Sequence, residues 1–245
     1  RTEPETLRTL YREAIRWGVR RLCLADTTGH ATPPGVERLV RFVRDEVISP
    51  SGEKIALDWH GHRDRGMAVA NCFAAIAAGV DRVHGTALGC GERAGNAEME
   101  LLLANLHLAG LPHGDLARLP EYCTLAARAL RLRIPANHPV VGYDAFRTAS
   151  GIHAAAILQA HARGDVELAE LTYSSLAASL FGLKQSFALS PMSGHAVVRH
   201  WLEQHGHDPA DDQLVDSLLA AAKQGDRVLE EADAERVVRG VGVAH

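Results

Sequence analysis

Aromatic side chains are scarce in this 245-residue chain, with Phe, Tyr and Trp at 5%. The length allows a sizeable core in one large domain or two small ones, and that core must be built mainly from Ala, Leu and Val. Charge of one sign is not in excess either. The net charge of −4 gives no electrostatic footprint for nucleic acid or a membrane surface. No apolar run approaches the ~20 residues of a membrane span, and no secretory leader is visible. Cysteine is sparse: Cys23, Cys72, Cys90 and Cys123 form no CxxC pair, and each lies in an apolar neighbourhood. Reduced, buried thiols in a cytoplasmic protein are therefore expected, not a disulfide framework. An initiator Met is also lacking, which leads us to expect further sequence upstream.

What is present is a repeated unit. "EPETLRTLYREAIRWGV" has helical apolar spacing and leads into a short strand, "RRLCLAD". "PPGVERLVRFVRDEV", a helix opened by proline, is followed by the strand "KIALDWH". The Ala-rich "GMAVANCFAAIAAGV" precedes the strand "DRVHGTALG", and the helix "AEMELLLANLHLAG" follows. Strands alternating with helices predict parallel pairing, with short apolar strands buried on both faces. Beyond about Leu111 the pattern turns mostly helical. It is interrupted by the irregular "IPANHPVVGYDAFRTASGIH" and by "KQSFALS", a short strand or extended loop. The expected division is an α/β part over 1–112 and a helical part over 113–245.

Three strand-end loops carry the polar residues. "ADTTGHATP" places Asp26 and Thr27 at a strand end with Gly29 behind them, which by itself reads as a helix cap and turn. "WHGHRDRG" puts His60 and His62 on one face of a strand. Neutral imidazoles suit Zn, Mn or Fe, although a bare HxH also describes two ordinary surface histidines. "ALGCGERAGN" has three glycines that let backbone approach a ligand closely, with Glu92, Arg93 and Asn96 as polar groups.

Taken in order, "LADTTGHATP" and "DWHGHRDRGMAVANCFAAIAAGVDRVHGTALGCGERAGN" resemble the DRE-TIM metallolyase superfamily. Within it the likeness is to the Claisen-condensing group of 2-isopropylmalate, homocitrate and citramalate synthases. It continues through "NHPVVGYDAFRTASGIHAAAILQA" and "LTYSSLAASLFGLKQSFALSPMSGHAVV" to about residue 205. The resemblance implies the C-terminal three βα units of a TIM (β/α)8 barrel, followed by a mostly helical linker subdomain. It implies a metal-dependent acyltransferase joining acetyl-CoA, as co-substrate, to a 2-oxo acid. 2-Oxoisovalerate, and so leucine biosynthesis, is the first choice. Homocitrate- or citramalate-type condensation is the enzymatic alternative, and a non-catalytic partner subunit of a split synthase the other.

By the same resemblance, His60 and His62 would ligate a divalent cation (Mg, Mn or Zn), with Asn96 beside both metal and substrate. Thr27 would bind the keto-acid carboxylate, and Gly91 and Glu92 would form the loop by the substrate and thioester. His153 and Tyr173 would reach an active site from the linker subdomain, in the family across an oligomer interface. Two positions depart from the family pattern. Arg63 stands where Asp or Asn is usual, and Ala154 and Ala155 where a polar pair is usual. Missing too is the family's first strand, whose Arg-Asp motif carries the metal's carboxylate ligand. A complementary N-terminal half-barrel polypeptide or segment is expected to supply it, within a homo- or hetero-oligomer.

Overall fold

A computed structural model of the chain describes residues 2–240; residue 1 and residues 241–245, at the outer ends of the two expected ranges, lie outside the described residues. The chain forms two compact units. The first comprises Arg1–Gly114 with Glu121–Leu132, the second Asp115–Pro120 with Arg133–His245. Among the described residues no helix is long and apolar enough to cross a membrane.

The first unit runs α1 (Pro4–Arg16), β1 (Arg21–Asp26), α2 (Pro33–Val43), β2 (Ala56–Gly61), α3 (Ala68–Ala77), β3 (Arg82–Val83), α4 (Met99–Leu108) and most of α5 (Leu119–Leu130). Prolines open α1 and α2, where the missing N–H leaves no hydrogen bond unmade. The strands pair in parallel in the order β1-β2-β3. Their register sets Arg21 beside Ala56, Asp26 beside Gly61 and Asp58 beside Arg82. The third strand is shorter than the expected "DRVHGTALG". From Thr86 the backbone turns away: the Thr86 N–H donates to Ala97 O, the Met99 N–H to Thr86 O, and Leu88 adopts a φ of 56°.

Leu22 and Leu24 of β1 and Leu57 and Trp59 of β2 point to one face. They pack there with Ile15, Val36, Val40 and Ala75 of the helices. The expectation that both faces are buried fails for β1. Its alternate residues Arg21, Cys23 and Ala25 are exposed, because all the helices of the apolar cluster cover the other face. The open face is polar. Asp58, only 1% exposed, sits between Arg21 and Arg82, the latter donating through Nη2 at 2.7 Å and Nε at 3.0 Å. Burial works against the charge, but the hydrogen bonds from Arg82 and Arg21 hold the Asp58 carboxyl below the usual carboxylate range.

The cysteines divide the same way. Cys72 and Cys123 are buried, and burial pushes both thiols up to about 12. Cys23 is exposed on the open face and Cys90 is half-buried in a loop, so the expectation of four buried thiols holds for two.

Asp81 joins neighbouring elements of this unit. Its Oδ2 accepts from the Leu57 backbone N–H and from Arg44 Nη2, each at 2.7 Å. Burial opposes the charge, yet these donors hold the carboxyl below its ordinary range. A lowered folded value stabilises above the unfolded pKa of about 3.9 and stops doing so as pH falls through the folded value. Asp81→Asn is expected to cost about 1 kcal/mol at pH 7, after discounting for its half-exposed position. That cost should shrink as pH falls below about 4, which urea melts of both proteins at pH 7 and pH 3 will check.

The second unit contains β4 (Arg147–Thr148), α6 (Gly151–Ala162), α7 (Val166–Leu171), β5 (Ser186–Phe187), α8 (His195–Gln204), α9 (Asp212–Gln224) and α10 (Glu231–Val238). "KQSFALS" yields only the two-residue β5, parallel to β4. Ala154, Leu189, Val198, Leu202 and Leu218 form the centre of this unit's core. In "IPANHPVVGYDAF" the chain turns tightly. Buried Val140 has a φ of 69°, a strained conformation for a β-branched residue, and a Cβ on Gly142 would lie 2.3 Å from Ala136 O.

Candidate active site

Parallel strands deliver their C-terminal ends to one rim; Asp58 in the middle of β2, His60 near its end and His62 just past it alternate onto one face, with the two histidines at that rim. The His60 and His62 rings are 5.4 Å apart, edge to face. His84, just past β3, lies 5.6 Å from His60 and sets its Nε2 3.3 Å from Asp58 Oδ2. Sequence reasoning missed His84 and Asp58. The signal was there, since Asp58, His60, Arg82 and His84 alternate onto one face of adjacent strands. Burial, then the neighbouring His84 and His62, push the His60 pKa down. That favours the neutral ring, the form that binds metals.

His62 continues the β1–β2 pairing by donating its N–H to Asp26 O at 3.2 Å, and it forms an isolated antiparallel bridge with Asn96. His62 Nδ1 and Asn96 Oδ1 are both buried without a hydrogen-bond partner. A buried orphan of this kind costs on the order of 1–3 kcal/mol unless something occupies it. Asn96 Nδ2 donates to Cys90 O at 2.8 Å, which orients the amide. Imidazole nitrogen and amide oxygen are donors a divalent cation accepts, so these residues fit such an ion in kind. The set lacks a carboxylate: among the described residues no group of three or more His, Cys, Asp or Glu could hold a metal ion.

The three loops are fastened to one another. Asp26 behaves as the turn former expected, its carboxylate accepting from the His30 and Ala31 N–H groups at 2.9 and 3.0 Å. Thr27 is exposed, and its carbonyl accepts from Arg93 Nη2. Arg93 also donates through Nε to Asp64 Oδ1 at 2.9 Å, and this pairing holds the Asp64 carboxyl below its ordinary range. Arg63 grips the glycine loop. Its Nε donates to Ala94 O at 2.6 Å, its guanidinium pairs with Glu98, and its backbone N–H donates to Gly95 O at 2.9 Å. Glycine is required at two points here. A Cβ on Gly91 would lie 2.2 Å from Asn96 Nδ2, and one on Gly95 (φ 103°) would lie 2.0 Å from Gly89 O. Glu92 is not drawn toward the histidines; its side chain is 86% exposed, 3.8 Å from Arg93.

In the second unit, His153 on α6 and Tyr173 just after α7 are stacked, ring centroids 4.0 Å apart and planes 27° apart. Both are exposed. Two residues named separately from the sequence thus form one pair.

The HMGL-like family profile matches residues 1–125, and the profile described as homocitrate synthase post-HMGL domain-like matches residues 140–227. A Methanopyrus kandleri protein assigned as an (R)-citramalate synthase is 37% identical over 98% of this chain and 46% of its own length. The homocitrate synthase AksA of Methanothermobacter thermautotrophicus is 33% identical over 87% of this chain and 51% of its own. The 2-isopropylmalate synthase of Methylacidiphilum infernorum is 33% identical over 93% and 44%. The chain therefore spans about half the length of the curated relatives it matches.

Proposed function

The chain belongs to the HMGL-like family, and from that membership we propose that it forms the last three βα units of a TIM barrel and the helical linker subdomain behind them. The activity we assign to the completed barrel is a Claisen condensation of acetyl-CoA with a 2-oxo acid, giving a 2-alkylmalate and CoA. The observation that carries this reading is the pair of orphaned buried atoms, His62 Nδ1 and Asn96 Oδ1, beside His60 at the ends of parallel strands. The relatives' names support the class of reaction.

A divalent cation held by His60, His62 and Asn96 would polarise the ketone of the 2-oxo acid. The chain's own groups do the rest. Thr27, exposed at the end of the first loop, binds the substrate carboxylate through its hydroxyl. The loop at Gly91, where Asn96 leaves no room for a side chain, borders the thioester with its backbone, with Glu92 at the mouth of the loop. The acetyl methyl group must lose a proton before its carbon joins the ketone carbon. The His153 imidazole takes that proton, and Tyr173, stacked on it, positions the ring. Water then releases CoA from the thioester.

Release of free thiol from acetyl-CoA, followed with 2-oxoisovalerate, pyruvate and 2-oxoglutarate in parallel, tests the reading. The 2-oxoisovalerate reaction is expected to be fastest; no thiol release with any 2-oxo acid by the complete enzyme sinks the assignment. His153 and Tyr173 are assigned to a neighbouring copy's barrel. Mixing His60→Ala with His153→Ala protein should then restore about a quarter of wild-type activity, the statistical yield for a randomly exchanged dimer. No recovery after demonstrated subunit exchange would place both residues in their own chain's site.

A further inference from the structure

We propose that the opposite end of the sheet carries a second binding site, one for a small phosphate-bearing anion held by Arg12, Arg16 and Arg20. A cavity of about 560 Å3 lies there, within the 300–1,000 Å3 usual for small-ligand sites. Arg12 and Arg16 enter it from one face of α1, Arg20 from the turn just before β1, and Ser51 and Glu53 from the segment leading to β2. His60 and His62 lie at the other end of six-residue strands, roughly 20 Å away at ~3.3 Å per residue. An occupant of this cavity cannot touch the condensation site.

The charges in the cavity are unbalanced, with three guanidiniums facing one carboxylate. Arg12 is half-buried, and its Nη2 donates to the Glu46 backbone carbonyl at 2.8 Å. Among the described residues it has no carboxylate partner, so most of its donors remain for a ligand. Arg20 and Glu53 approach to 3.4 Å, but their side chains are 63% and 50% exposed. A pair that open is weak, and a stronger anion displaces it. Arg16 pairs with Glu13 on the outer surface of α1.

The frame is firm. Val47, fully buried, packs beneath the cavity and holds its floor in place. It sits in a π-helical turn, Arg44–Ile48, that extends α2; such turns recur at functional sites. Ser51 Oγ donates to Ile48 O at 2.6 Å and accepts from the Glu53 N–H at 3.1 Å, fixing the rim. A phosphate ester matches this set in two ways. Its charge meets the Arg12 guanidinium, which has no carboxylate partner among the described residues, and outweighs the single Glu53 carboxylate in the cavity. Its oxygens accept the forked donors of guanidinium better than one carboxylate can.

Isothermal titration of pyrophosphate and inorganic phosphate into the purified full chain, with chelator present, tests the proposal. Saturable binding of one pyrophosphate per chain is expected, weakened about tenfold by Arg12→Gln and tightened about threefold by Glu53→Gln. Arg163→Gln and His60→Ala should leave it unchanged, the latter separating it from the condensation site. Trp17, 87% exposed beside Arg16, provides a second readout, because its fluorescence should respond to pyrophosphate and fail to respond in Trp17→Phe. If Arg12→Gln does not fold, Arg20→Gln and Glu53→Gln carry the same opposite signs. Absence of saturable binding, or affinities indifferent to both Arg12→Gln and Glu53→Gln, would overturn the site.

Discussion

The His60→Ala/His62→Ala double variant of the complete enzyme is expected to retain only a trace of bound divalent metal and to lose about a thousandfold or more in kcat. Loss of a group that merely orients a metal ligand costs about 10- to 100-fold, and here the ligands themselves go. The single variants should differ. Both rings are half-buried, but His62 alone carries a buried orphan nitrogen and backs onto Asn96. His62→Ala should therefore cost more metal affinity than His60→Ala. Asn96→Ala should cost about tenfold, since it removes one oxygen and leaves both imidazoles. Global stability should change little, because Leu57 and Trp59 rather than the histidines fill the core on the other face of β2. Elemental analysis, thiol-release kinetics and a thermal melt on the same samples check all three statements. Full metal occupancy together with wild-type turnover in the double variant would end the assignment.

How far the sequence could be read depended on whether a signal was local. Helical spacing in "PETLRTLYREAIR" and prolines at the start of helices are local, and α1 and α2 lie where they predict. The strands β1 and β2 begin within two residues of the expected positions for the same reason. Burial on both faces was a different kind of inference, because it depends on what stands opposite the sheet. Cys23 and Ala25 suit a covered face as well as an open one, so their identity could not reveal that the helices of this unit cover one side only. The short β3 arose from long-range competition, with Thr86 bonding to Ala97 in place of a strand partner. In the candidate site the HxH pair and the glycine loop were legible as motifs. That Arg63 secures the glycine loop, that Arg93 ties Asp64 to Thr27, and that His84 joins the histidines all required the loops to be folded together. The His153–Tyr173 stack joins residues twenty positions apart through two helices, and no periodicity announces it.

The 245-residue chain alone is expected to show no measurable condensation, and co-expression with a complementary half-barrel should raise activity by about a thousandfold or more. Three observations motivate this. The sheet has the order β1-β2-β3, which leaves β1 and β3 as edges whose backbone groups invite further strands. The face that the helices do not cover holds Arg21, Cys23, Ala25 and the clamped Asp58, a charged lining suited to a barrel interior closed by other strands. The ligand set proposed for the metal has two imidazoles and an amide but no carboxylate, and an oxygen-preferring cation binds such a set poorly. A partner polypeptide or segment supplying about five strands, with an Arg-Asp motif at the first, repairs all three deficits at once. Each edge group that finds a partner on burial avoids a loss of on the order of 1–3 kcal/mol, so association should also raise the melting temperature of this chain. Size-exclusion chromatography should show a stoichiometric complex, and the restored thiol release should vanish with chelator. Asp→Asn in the partner's first-strand motif should abolish activity without dissociating the complex, because the strand pairing that holds the halves together does not use that carboxylate. Efficient condensation by residues 1–245 alone would mean that this sheet needs no further strands and that its metal site is complete without the missing oxygen.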